Sequence, residues 1–206
     1  FVAMQNRIAR EVFFEQSALA SSRRDAIQEA IQAAILFYEN ELFWFNEQQA
    51  TTDTEAGYEY YPAPTDYIQM YSLALRKSAD AWETLEAKSF DEIEQSNRGS
   101  GTGRPHSYCS FNQQFRLSPV PNASYQLRLS YLKKLAALAL DEDSNAWMTE
   151  AEPMIRAKAK AILLLDAVHD IEAAAQHDVV SDMWFKRLQK RTVQYIGTQQ
   201  IRLQEF

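Results

Sequence analysis

The sequence is poor in the residues that staple a fold or span a membrane. It has a single cysteine, Cys109, so no internal disulfide can hold it together. Gly and Pro together number 11 of 206 residues, which excludes a collagen-like or low-complexity chain. No apolar run approaches the ~20 residues that a membrane-spanning helix needs. The three histidines, His106, His169 and His177, have no Cys or His at metal-ligand spacing beside them. Residue 1 is Phe rather than Met, and FVAMQNRIAREVFF has no basic-then-apolar signal layout, which fits a processed or partly ordered chain.

What is present is ordinary for a folded protein: 46% hydrophobic and 24% charged residues. That supports one core with a large insertion, or two small lobes. The net charge of -7 is unevenly spread. Residues 39–95 hold 13 acids and 3 bases, a net -10, and the remainder is +3. An acidic stretch of this kind does not grip nucleic acid. It does not exclude a wall past which DNA slides without sticking.

Met4, Ile8 and Val12 recur at helical spacing and predict a helix over 4–16. Residues 17–22 read as a turn, with Ser22 and Asp25 resembling a capping box. The helix they open carries Ile27, Ile31, Ile35, Tyr38 and Leu42 on one face. Four aromatics then fall from Tyr38 to Phe45, where the rhythm changes. Packing at a joint between two parts of the molecule is the reading for Phe43, Trp44 and Phe45. About six short strands follow. Gln49–Thr54 and Gly57–Tyr61 look like a hairpin turning at Gly57. Tyr125, Leu127, Leu129 and Tyr131 alternate with polar residues as a half-buried strand. Ser89 caps a single helical turn. Thr149 and Glu152 form a capping box with Pro153 just inside, opening a helix through residues 154–175. A last helix starts near Ser181 and stops at Gly197.

With no β-α-β alternation, these elements predict an α+β chain. A four-helix bundle is formed by the N- and C-terminal helix pairs, residues 1–46 and 149–196. A small antiparallel β lobe, 47–148, is inserted, and 197–206 is a C-terminal tail.

The candidate chemistry is thin. Asp141, Asp143, Asn145 and Glu152 fall at positions 1, 3, 5 and 12 of a calcium loop. Position 6, which needs Gly for its turn, is Ala146, so a solvated turn before a capped helix is the reading taken. SNRGSGTGRP lacks the ending of a phosphate loop and reads as a strand-connecting tip that orders on assembly. Cys109 has no His–Asp set and reads as a buried inert thiol. No catalytic residue and no cofactor are expected.

The segments IQAAILFYENELFWFNE, YYPAPTDYIQM, GTGRPHSYCSFNQQFRLSPVPNASYQLRLSY and DEDSNAWM, in that order, resemble the head-to-tail adaptor (connector) proteins of tailed bacteriophages. The resemblance covers nearly the whole chain. It implies a non-enzymatic virion protein at the neck between capsid and tail, assembled in the host cytoplasm. It implies a homo-oligomeric ring of twelve below the portal protein, with a tail or nozzle protein on the other side. Genomic DNA would pass through without sequence-specific binding. Ile201, Arg202, Leu203 and Phe206 are the expected portal-docking residues. Arg98, Arg104, Phe43 and Trp44 are the expected inter-subunit or tail contacts. The alternative is a stand-alone binding or scaffolding module with no ring.

Overall fold

The computed structural model describes residues 1–13, 21–79, 81–99 and 101–196. In chain order, α1 (Val2–Phe13) and α2 (Ser21–Tyr38) precede β1 (Glu47–Asp53), β2 (Tyr60–Pro62), β3 (Tyr67–Ser78), β4 (Ala81–Thr84) and β5 (Glu86–Ala87). Then come α3 (Phe90–Gly99), β6 (Ser107–Phe111), β7 (Gln114–Ser118) and β8 (Gln126–Lys133). Next are α4 (Ala146–Thr149), α5 (Glu152–Leu163), a π-helical turn (Leu164–Val168) and α6 (Ile171–Ile196). The chain divides into two compact units: Phe1–Asn46 with the chain from Leu135 onward, and Glu47–Lys134. Helices dominate the first and sheets the second, so the chain is α+β.

In the helical unit α5 is the hub, packing on α1, α2 and α6. Its small residues Ala157, Ala159 and Ala161 are buried and let the neighbours approach. Met4, Ile8 and Val12 of α1 are buried, as their spacing predicts, and so are Ile27, Ile31 and Ile35 of α2. Glu11 joins α1 to α5 by accepting from Lys160 at 2.9 Å and Arg156 at 3.4 Å.

Three local expectations fail here. The helix expected through 154–175 breaks. It ends in the π-helical turn, and His169 takes a left-handed φ of 59° with Nδ1 3.2 Å from the Leu165 carbonyl. Asp170 then caps α6, its Oδ1 accepting from the Ala173 amide at 2.9 Å. An aspartate that satisfies an orphan amide is a helix start, so α6 opens ten residues before Ser181. The Thr149–Glu152 capping box does not form either. Thr149 closes α4, which Asn145 caps, Ala151 sits before α5, and Glu152 pairs with Arg156 at 3.4 Å. Residues 135–148, expected in the β lobe, belong to the helical unit, because Leu138 and Trp147 bury in its core.

In the β unit two four-stranded sheets, β1-β8-β3-β4 and β2-β7-β6-β5, enclose one core. Leu73, Leu75, Leu127 and Leu129 from one sheet meet Tyr108, Phe115 and Leu117 from the other. The pairing is antiparallel except between β5 and β6, which run parallel. β1 and β2 lie in different sheets, so the expected hairpin at Gly57 does not form, although Gly57 does turn the chain at φ 83°. The turn expected at Ser89 is a ten-residue helix, α3, anchored by the fully buried Ile93. Ser89 is its cap: Glu92 Oε2 accepts from the Ser89 amide at 2.9 Å and hydroxyl at 2.6 Å.

Candidate assembly surfaces

The aromatic run at the end of α2 is built into the helical core. Tyr38 shares a 2.7 Å hydrogen bond with Ser181 of α6 and stacks on Phe185 at 5.4 Å. Burial pushes the Tyr38 phenol above its ordinary pKa. Phe43 is fully buried. It stacks on Phe45 at 5.1 Å and meets Trp147 and Phe185 edge-on at 5.7 and 6.0 Å. The buried Asn46 holds the turn that makes this possible, accepting from the Phe43 amide and donating to the Glu41 carbonyl, both at 2.9 Å. A fully buried Phe43 has no surface to offer a partner, so the contact role expected for it is corrected to core packing. Trp44 differs. It is partly buried, stacked on Tyr195 at 5.2 Å with the Arg191 guanidinium 4.5 Å above its ring, and Tyr195 itself is 64% exposed. Arg191 also reaches Glu150 at 3.2 Å. Trp44, Arg191 and Tyr195 form a surface stack in the helical unit.

Arg98 and Arg104 lie in the β unit, each with local partners. Arg98, on α3, pairs with Glu94 at 3.0 Å while remaining largely exposed. Arg104 donates to the Arg76 carbonyl at 3.1 Å, reaches Glu83 at 3.4 Å and lies 5.4 Å above Tyr125. Sequence reading missed the neighbouring residue that does most. Arg116 is almost fully buried between the rings of Tyr60 and Phe90, each 5.2 Å away. It binds Glu59 at 3.0 and 3.3 Å and also Glu94. Burial works against its charge, but the two carboxylates outweigh it and hold its pKa up. The Arg116 hydrogen bond correspondingly holds Glu94 below the usual carboxylate range. Alternation along Phe115-Arg116-Leu117 puts Arg116 on the face opposite the two core residues, and Tyr60, Phe90, Glu59 and Glu94 cover it there.

The calcium-loop residues have structural duties. Asp143 Oδ2 accepts from the Ala139 and Leu140 amides, both at 2.7 Å, and these bonds lower its pKa. Asn145 caps α4 and donates to the Ala136 carbonyl at 2.7 Å. Asp141 lies 3.6 Å from Arg24, and Glu152 faces Arg156. Among the described residues no three His, Cys, Asp or Glu gather as a metal site. Cys109 is buried, and burial pushes its thiol up in pKa. Ile201, Arg202, Leu203 and Phe206 lie outside the described residues, as do residues 17–20 and Gly197.

Outward-facing apolar residues collect on two helices. α2 exposes Leu36 and Phe37, and α6 exposes Val179, Met183, Val193 and Tyr195. Along its 26 residues α6 buries only one stripe, through Ala174, Ser181, Leu188 and Thr192. No described helix is long and apolar enough to cross a membrane. No curated protein matches the chain. The family profile of the SU10 adaptor protein does, over residues 1–202, in agreement with the ordered segments that resemble phage connectors. The chain therefore belongs to the SU10 adaptor protein family, phage structural proteins of the head-to-tail adaptor kind.

Proposed function

We propose that this protein is the head-to-tail adaptor of a tailed phage, a non-enzymatic ring of twelve copies that docks on the capsid portal. The ring extends the DNA channel, and its far side is the attachment point for the tail or nozzle protein. Genomic DNA passes through without sequence-specific binding. The helical unit, working as a four-helix bundle of α1, α2, α5 and α6, forms the body of each subunit. The protein works at the virion neck and assembles in the host cytoplasm.

The observation that carries this reading is the family match over residues 1–202. The surface supports it: a long helix covered along only one stripe, with aliphatic side chains on its outer side, suits a subunit that neighbours cover. Head-to-tail rings need two different faces on each subunit, and the exposed sides of α2 and α6 differ in charge and shape. The C-terminal Ile201, Arg202, Leu203 and Phe206 are assigned to the portal, and Trp44, Arg98 and Arg104 to neighbouring subunits or the tail.

Co-sedimentation with the purified portal ring of the same phage tests the proposal, comparing the full chain with one stopped at Ile196. The expected result is one copy bound per portal subunit for the full chain and none for the truncated chain. Equal binding by both moves docking away from the C-terminal residues. Binding by neither overturns the adaptor reading and leaves a stand-alone binding module.

A further inference from the structure

We infer that the outer face of α2 in one copy packs antiparallel on the outer face of α6 in the next, and that this helix pair sets the register of the ring. The inference rests on the ring reading above and names the surfaces that close it. On α2 the outward stripe runs Asp25, Glu29, Gln32, Leu36: two acids, a half-buried amide and an exposed aliphatic residue, with the small, exposed Ala33 beside the amide. On α6 it runs Val179, Met183, Lys186, Lys190: two exposed apolar residues, then two lysines. Asp25, Glu29, Lys186 and Lys190 have no ion-pair partner among the described residues. One chain cannot bring the two stripes together. Its α2 and α6 already meet through their inner sides, at Tyr38, Ser181 and Phe185.

The spacing matches step for step. From Asp25 the α2 stripe advances four, three and four residues to Leu36. From Lys190 the α6 stripe goes back four, three and four residues to Val179. Each covers about 16 Å of helix at ~1.5 Å per residue. Laid antiparallel, Asp25 faces Lys190, Glu29 faces Lys186, the Gln32–Ala33 step receives Met183, and Leu36 meets Val179. Laid parallel, Asp25 falls on Val179 and Leu36 on Lys190, and both charge pairs are lost. Neither helix satisfies itself in this register across a two-fold axis. An antiparallel α2 pair puts Asp25 on Leu36, and an antiparallel α6 pair puts Lys190 on Val179. The acid-to-lysine match therefore selects an unlike face on a second copy, and an unlike-face contact repeats around a ring. Exposed ion pairs contribute little affinity each, so their role here is orientation and exclusion of the wrong register. The apolar halves supply the burial.

The test uses the full chain with purified portal rings of the same phage, read by sedimentation and by non-reducing gels after mild oxidation. The variant carrying both Glu29→Cys and Lys186→Cys should give a ladder of disulfide-linked species extending past the dimer. Either cysteine alone should give none. Asp25→Lys with Glu29→Lys should lower portal-bound copies by about tenfold or more, since like charges then face each other around the whole ring. Adding Lys186→Glu and Lys190→Glu to that variant should restore them. If full rings sediment with the portal but no ladder appears and the charge variants bind normally, these faces are wrong and the ring reading stands. A ladder that stops at dimers, or linking by Lys186→Cys alone, shows a two-fold contact and overturns the proposal. If wild-type copies neither bind the portal nor associate, the ring reading fails and this interface fails with it.

Discussion

The two units differ in the charges they leave without an ion pair. By sequence position the chain has one acidic block, residues 39–95 at -10, but folding does not preserve it. The β unit, Glu47–Lys134, holds 11 acids and 9 bases, a net -2, because four arginines and two lysines after residue 95 belong to it and Glu39 and Glu41 do not. Arg116 binds Glu59 and Glu94, Arg104 reaches Glu83, and Arg128 lies 4.3 Å above Trp82. These three arginines of the β unit rest on acids or rings, and Arg116 is buried there. The helical unit, with 17 acids and 12 bases, leaves Asp25, Glu29, Lys186 and Lys190 without an ion-pair partner among the described residues. Exposed apolar residues follow the same division. Those of the β unit are all Tyr or Phe, such as Tyr58, Tyr71 and Phe111, while the helical unit presents Leu36, Val179, Met183 and Val193. Aromatics with a polar tip or a nearby cation tolerate water, whereas aliphatic stripes call for a cover. The helical unit is the one with surfaces left to be completed by neighbours.

The comparison is broken most severely from inside. Phe43→Ala removes a fully buried ring that touches Phe45, Trp147 and Phe185, and should destabilise the helical unit by about 4 kcal/mol. Urea unfolding followed by far-ultraviolet circular dichroism should show the helical signal melting early. A near-neutral result would mean that the aromatic joint is not part of the core. Arg116→Met tests the β unit in the same way. It keeps much of the packing volume but takes the guanidinium away from Glu59, while Glu94 keeps Arg98, and should cost about 2 kcal/mol. Combining it with Glu59→Gln should recover part of that loss, because the stranded charge is then gone. No recovery would show that Arg116 acts through packing on Tyr60 and Phe90 rather than through charge.

These features were unequally legible in the sequence. Periodicity located the elements well: Met4, Ile8 and Val12 in α1, and Leu127, Leu129 and Tyr131 in β8, all point inward as their spacing says. The α+β class followed from the order of elements. Local chemistry with two competing solutions misled. Thr149 and Glu152 have capping-box spacing, but Asn145 starts a helix four residues earlier and Glu152 finds Arg156 instead. Asp170 caps α6 inside the span read as one helix through residue 175, and no glycine announces the left-handed turn that His169 makes. Long-range pairing was invisible. Nothing local says that Tyr60 pairs with Arg116, so neither the Gly57 misassignment nor the buried Arg116 network could be seen without the sheet order. For the assembly surfaces, Trp44 was found by its aromatic neighbours. The α2 and α6 stripes were not, because the last helix was expected to start only near Ser181, which leaves Val179 outside it.

A gentler probe is the hydrogen bond that joins α2 to α6. Tyr38→Phe leaves the ring on Phe185 but removes the hydroxyl from Ser181, whose Oγ still has the Met154 carbonyl at 3.2 Å. With that second partner kept, the loss should be about 1 kcal/mol, read as a small shift of the urea midpoint. A loss as large as that of Phe43→Ala would mean that the α2–α6 seam depends on this one bond.

The smallest expected effect lies in pH. Burial raises the pKa of Glu11, but the hydrogen bond from Lys160 and the charges of Lys160 and Arg156 outweigh it, so the folded value lies below the usual 4.5. A carboxylate with a depressed folded pKa stabilises the native state above its unfolded pKa, and that contribution disappears as pH falls through the folded value. Glu11→Gln should therefore be less stable than the parent at neutral pH, with the gap closing as pH falls below 4.5. His177 acts in the same direction at higher pH. Burial and the nearby Lys160 and Arg156 lower its pKa from 6.5, so the native state resists its protonation and loses stability as pH falls through that value. His177→Gln should flatten the stability profile just below 6.5 without altering its course below 4.5, where Glu11 acts. Urea midpoints for both variants across this range separate the two groups. If neither variant changes the profile, the cluster of Glu11, Lys160, Arg156 and His177 between α1, α5 and α6 is solvated well enough to act as ordinary surface charge, and the helical unit differs from the β unit in having no buried ionic network.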